Sequence, residues 1–188
     1  MPMAELPEDL SRLSLGEIAQ MAADRKLPPV ESWHPERSGD SAMRIARDGC
    51  WYHEGDPITR PSMIRLFSTI LRREADGSHV LVTPAEKLSI VVDDAPFVAV
   101  EVKSEGEGRG RRLAFRLNTG DLVVAGPDHP LRFAERDGEP APYLAVRGGM
   151  DALIARAAYY ELAEMVIAEA AEPLGLWSNG QFFAMDAA

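Results

Sequence analysis

Two arginines stand where a helix should not want them. In "ITRPSMIRLFSTI", Arg60 precedes Pro61 and an apolar run, and in "LIARAAYYELAEMV" Arg156 opens a similar run. Unpaired N–H groups make a helix N-terminus electropositive, so a cation there costs a few tenths of a kcal/mol unless an anion offsets it. That anion is either an internal carboxylate, with Asp56, Glu86 and Glu161 close in sequence, or a bound ligand. A guanidinium presents a planar fork of donors that suits carboxylate and phosphate oxygens. Arg60 and Arg156 are therefore candidate anion holders. Trp51, Tyr52 and Trp177 lie beside the same two elements, with Tyr143 and Tyr160 as further aromatic faces, and could wall a planar ring. "TPAE" contributes Thr83 and Glu86, and "SNGQFF" contributes Ser178, as hydroxyl and carboxylate groups able to orient a ligand. The same side chains serve equally as core and as turn caps.

Other chemistries are poorly served. His34, His53, His79 and His129 are scattered, none three or four residues from another, so no metal site is expected. "GEGRGRR" resembles a phosphate loop only in its glycines and precedes the strand "RLAFRL", which marks a hairpin tip. Asp128 and His129 lack a serine in a nucleophile elbow. No cofactor signature is present. Asp93, Asp94 and Glu86 leave a carboxylate-dependent hydrolase or transferase as one alternative. Cys50, the single cysteine, is expected to be a buried thiol and excludes an intramolecular disulfide.

The 188 residues carry a formal charge of −10. That excess repels phosphate backbones and argues against a nucleic-acid polymer as partner, though not against a small anion held by local arginines. The opening "MPMAELPEDL" has no apolar core, and no apolar run approaches the ~20 residues of a membrane span. A cytoplasmic protein is expected.

The elements that must position these residues read as follows. Leu10, Leu13, Ile18 and Met21 predict an amphipathic helix over residues 11–24, and the prolines after it a linker pinned by Trp33. A hairpin around Arg47, Asp48 and Gly49 leads to a helix over 59–73 with Met63, Ile64, Phe67, Ile70 and Leu71 as its buried stripe, then two strands. From Phe97, five short strands at about ten-residue spacing predict an antiparallel sheet or partly closed barrel. A helix over 151–171 and a hairpin with Asn-Gly at its turn complete the chain. The division is an N-terminal helix and linker (1–32), a first α+β lobe (33–96) and a second lobe (97–188). Aligning Arg60 with Arg156 also aligns Ile58 with Ile154 and Leu66 with Leu162, with Gly49 and Gly149 upstream. We read this as a duplicated strand–helix–strand-pair unit, relating residues 44–92 to 145–185.

The ordered set "DGCWYHEGDPITRPSMIRLFSTIL", "LVTPAEKLSIVVDDAPF", "DHPLRF", "PYLAVRGGMDALIARAAYYEL" and "LWSNGQFF" resembles the bacterial domain-of-unknown-function family numbered twelve eighty-five, over residues 33–183. The resemblance implies a duplicated α+β core whose second half is superficially like a pleckstrin-homology fold. It further implies a ligand site between the halves, for a nucleotide-like molecule, and a role in signalling. The expectation for function is non-catalytic binding of a small anionic ligand between two lobes, as a sensor or adaptor. Its residues would be Arg60, Arg156, Trp51, Tyr52, Thr83, Glu86, Trp177 and Ser178. A protein-interaction module, or a homo-oligomer contact, is the rival.

Overall fold

Helix α1 (Leu15–Asp24) starts where Ser14 can cap it. The Ser14 hydroxyl accepts the Glu17 N–H at 3.2 Å while the Glu17 carboxylate accepts the Ser14 N–H at 2.8 Å, a reciprocal capping box. The chain, a computed structural model, is described over residues 13–185, so the expected start at Ser11 lies outside the described residues. The linker after α1 is clasped by buried Arg72, which donates to the Val30 and Trp33 carbonyls at 2.8 Å each.

The first lobe contains β1 (Arg37–Ile45), β2 (Trp51–His53), β3 (Asp56–Pro57), α2 (Pro61–Thr69), β4 (Leu71–Arg73), β5 (His79–Val82) and β6 (Glu86–Val92). The sheet order is β3-β2-β1-β6-β5-β4, antiparallel except for the central pair β1 and β6. Gly49 makes the β1–β2 turn at φ +88°, and a Cβ there would also stand 2.7 Å from the Asn118 side chain, so only glycine fits. Helix α2 opens on Pro61, whose missing N–H is no loss in a first turn. It ends at Thr69 rather than Arg73. Leu71 pairs with Leu81 and is 1% exposed, so strand pairing and burial override the helical period there. Within α2, Phe67 stacks on Trp51, whereas Met63, expected in the buried stripe, is 37% exposed.

The second lobe contains β7 (Phe97–Glu105), β8 (Arg112–Leu117), β9 (Leu122–Val124), β10 (Leu131–Arg136), β11 (Glu139–Arg147), β12 (Met150–Ile154), α3 (Arg156–Glu169), β13 (Gly175–Ser178) and β14 (Gln181–Ala184). Its six-stranded sheet runs β10-β11-β12-β7-β8-β9, with β7 and β12 parallel at the centre. The sheet stays open and closes no barrel, which corrects the barrel-like expectation. The α3 helix begins at Arg156 and not at Asp151, because residues 150–154 alternate buried and half-buried as a strand.

The fold is α+β and duplicated, but in a register other than the arginine-helix alignment. Read from one edge, the sheets are 3-2-1-6-5-4 and 9-8-7-12-11-10. Strand β1 corresponds to β7, and each later strand to the one six places on. Helix α2 sits between the third and fourth strands of its lobe, whereas α3 follows the sixth strand. The two helices are therefore not equivalent, and residues 44–92 do not repeat as 145–185. One apolar core joins the lobes, with Ile45, Trp51 and Leu71 from the first and Phe97, Phe115, Leu144 and Leu162 from the second. A smaller cluster seats Leu15 and Ile18 of α1 on Ala114 and Leu122. No helix among the described residues is long and apolar enough to cross a membrane.

Candidate functional site

A cavity of about 510 Å³ opens between the lobes. Equivalent hairpins contribute a wall each: β4–β5, turning at Asp76 and Gly77, and β10–β11, turning at Asp137 and Gly138. Each first strand ends on an arginine, Arg73 in β4 and Arg136 in β10, and both line the cavity. On β10 the two-residue period sets Arg132, Ala134 and Arg136 on one face, and all three line the cavity.

Glu135 also lines the cavity, with no ion pair among the described residues, and the other charges fall into two groups. Asp94, its side chain 10% exposed, is saturated: Arg136 Nη1 lies at 2.6 Å, Arg47 at 3.8 Å, and the Tyr143 hydroxyl donates to it at 2.9 Å. Asp94 holds the Arg136 guanidinium above its ordinary pKa. Burial, and then the bond to Asp94, pushes the Tyr143 phenol up, so Tyr143 stays a donor at neutral pH. Arg132 donates to Asp151 at 3.1 Å and lies over the Tyr143 ring, 4.5 Å from its centroid. The second group is Arg73 and His79, directly opposite each other across β4 and β5. Arg73 donates to the Gly149 carbonyl at 3.2 Å and forms no ion pair among the described residues. The His79 Nε2 is buried without a hydrogen-bond partner among the described residues. Burial, and then Arg73, pulls the imidazole below its usual value, so it is neutral at pH 7.

The eight residues expected from sequence do not assemble here. Arg60 caps α2 exposed, and Arg156 meets Glu139 at 3.8 Å with both side chains largely in water; neither lines the cavity. Trp51 is 1% exposed against Phe67, so no ligand can reach its ring. Tyr52 is half-buried in β2, opposite Arg44. Thr83 accepts the Glu86 N–H at 3.2 Å in the β5–β6 turn, and Glu86 faces Arg37 at 3.5 Å on the surface. Trp177 lies beneath Arg109 and beside Phe182. Ser178 is fully buried and uses its hydroxyl as both donor and acceptor within the fold. These are the capping and core roles, and they leave the expected residues apart from one another.

Elsewhere, Asp93 is bonded to Arg44, with one N–H···O at 2.9 Å, and that bond holds its carboxyl below the ordinary range, opposite to what a general acid needs. Cys50 is exposed rather than buried, and desolvation and Asp48 push its thiol up, away from thiolate reactivity. Arg111 in the glycine-rich loop is buried and bonded to Glu169 at 3.0 Å, so that tip is tethered to α3. Among the described residues no three His, Cys, Asp or Glu are arranged to hold a metal.

Two family models match the chain: a domain of unknown function (DUF1285), N-terminal domain, over residues 28–95, and a protein of unknown function (DUF1285), C-terminal domain, over 96–185. Their junction falls between β6 and β7. A solved structure of a DUF1285 family protein from Silicibacter pomeroyi DSS-3 is 45% identical, covers 91% of this chain and 95% of its own, and superposes with a TM-score of 0.78. A DUF1285 family protein from Shewanella baltica OS155 is 24% identical over 66% of this chain and 92% of its own, with a TM-score of 0.53, and speaks for the fold alone. No curated protein matches.

Proposed function

The chain belongs to the DUF1285 family, a family of unknown function, and we propose that it binds a small anionic, ring-bearing ligand between its lobes without catalysis, as a cytoplasmic sensor or adaptor in signalling. The observation that carries this reading is the Arg73–His79 pair. Of the arginines on the cavity wall, Arg132 and Arg136 have carboxylate partners, while among the described residues Arg73 donates only to a carbonyl and His79 keeps a buried nitrogen unpaired. A buried polar atom with no partner is uncommon in native proteins and calls for an explanation, which a ligand atom would supply at His79. Arg73 would hold a carboxylate or phosphate, and the neutral imidazole would bond the same group. The Arg132 guanidinium, already stacked on Tyr143, extends a platform on which a planar ring can lie. An anion beside a ring is nucleotide-like chemistry, and about 510 Å³ falls within the usual range of small-molecule sites.

A thermal-shift screen of nucleotides and acidic metabolites tests the proposal, since binding to the native state raises the melting temperature. Arg73→Ala should weaken the hit about ten- to a hundredfold, the worth of one charge-assisted hydrogen bond. Unchanged affinity in Arg73→Ala would sink it.

A second reading, protein docking, draws on Tyr160 and Ile167. They stand seven residues apart on one face of α3 and are 56% and 74% exposed. A partner bound there should be lost with Ile167→Asp while cleft binding stays intact.

A further inference from the structure

A second cavity, of about 400 Å³, lies between α1 and the second sheet and shares no lining residue with the interlobe cleft. Its walls are of two kinds. Ala19 and Ala22 of α1, with Leu122 and Val124 of β9, are apolar. Against them stand two guanidinium groups, Arg25 and Arg147, the buried carboxylate of Asp121, the exposed carboxylate of Asp128 and the half-buried His129.

The buried carboxylate is oversubscribed. Asp121 forms an ion pair with Arg25, lies 3.8 Å from Arg147 Nη1 and accepts the Thr119 hydroxyl at 2.7 Å. Arg147 is otherwise held by the Ser68 carbonyl at 2.8 Å and by the Phe97 ring, at 5.0 Å from its centroid. Among the described residues, Arg25 Nη1 and Nη2 are both buried without a hydrogen-bond partner, Nη1 meeting Asp121 as an ion pair alone. Burial, followed by the charges of Arg147 and Arg65, pulls the Arg25 guanidinium below its usual pKa. A cation crowded by cations in a chain of net charge −10 is the reverse of what general surface electrostatics would place there. A second anion would satisfy Nη2 and relieve the repulsion together.

We infer that this cavity binds a single-chain amphiphile, an oxyanion head on a short apolar chain. The head takes Arg25 Nη2 and Arg147 Nη1, and the chain lies between α1 and β9. The inference is independent of the interlobe reading, since the two sites have no residue in common.

Decanoate and decyl phosphate are the probes, with decanol supplying the chain without charge and acetate the charge without chain. Titration of the full chain by calorimetry should find binding of at least one anionic probe, with decanol and acetate at least tenfold weaker. Amide chemical shifts should move at Asp121, Val123 and Gly126 and stay fixed at His79 and Arg136. Arg25→Gln should weaken the anionic probe at least tenfold and leave decanol unchanged. Failure of both anionic probes to bind, equal binding of decanol, shifts confined to the interlobe cleft, or full affinity in Arg25→Gln would each overturn the inference. If Arg25→Gln does not fold, the wild-type comparison with decanol and the shift map decide the matter.

Discussion

Replacing Ser178 by alanine should unfold the second lobe more readily, and the size of the loss can be worked from two bonds. Ala125 N–H donates to the Leu113 carbonyl at 2.9 Å, as in an ordinary ladder rung. The return bond is not direct. The Ser178 hydroxyl stands between, accepting the Leu113 N–H at 2.9 Å and donating to the Ala125 carbonyl at 2.7 Å. It thereby stitches the β13–β14 hairpin into the sheet. Alanine deletes both bonds and leaves a donor and an acceptor in a fully buried place. At about 1–3 kcal/mol for each buried group left unsatisfied, the loss is roughly 2–6 kcal/mol. In a chain of this length that lowers the melting temperature by about 4–24 °C. Urea unfolding should show a lower midpoint with an unchanged slope. A loss under about 0.5 kcal/mol, the range of ordinary surface changes, would refute the reasoning and free Ser178 for the ligand role expected from sequence.

His79 should give the fold an acid limit. Its folded pKa lies below the ordinary 6.5, so below that pH the unfolded chain takes up a proton that the folded chain resists. Stability should therefore fall as pH drops from 7 through about 6.5 toward the lower folded value, and His79→Leu should flatten that slope in urea midpoints taken across the range. A steeper slope in the variant would reverse the assigned direction. Arg60→Ala and Arg156→Ala should each change stability by less than about 0.5 kcal/mol, because Arg60 is exposed and the Arg156–Glu139 pair is solvated. A larger loss in the melting curve of either would show a buried partner.

Legibility followed the range of the interaction. Capping, turn chemistry and alternation act over a few residues, so β7 to β11, the terminal hairpin and the existence of all three α-helices could be read directly, while β12 could not. Helix ends could not. Leu71 fits the period of α2 and the pairing of β4 equally well, and only the Leu81 partner across the sheet decides between them. Asp151 and Leu153 sit in a helical-looking run for the same reason, until pairing with β7 and β11 claims them as strand. The residues that line the interlobe cavity are set by long-range packing in the same way. Arg73 and Arg132 are unremarkable in sequence and meet only because separate lobes pack with their hairpins facing one cavity.

Matching Arg60 to Arg156 sets the repeat in a register that the strands do not keep. Helices α2 and α3 both bury one face on the shared core, so both must show apolar residues at three- and four-residue spacing. Aligning them detects that common constraint and not a common position in the fold. The strands hold the true correspondence, but alternation is generic and aligns in any even register. What distinguishes equivalent points is the turn: Asp76 and Gly77 after Arg73, Asp137 and Gly138 after Arg136, both glycines at positive φ. A residue pair fixed by backbone geometry carries topological information that an amphipathic stripe does not. The idea that matched arginines of a duplicated chain converge on one cleft then applies to Arg73 and Arg136. Each closes the first strand of its hairpin, and packing of the two lobes brings those hairpin ends to the same cavity. Asp94 has claimed Arg136 for the fold, so the duplicated pair has diverged, with Arg73 left as the half that still lacks an anion.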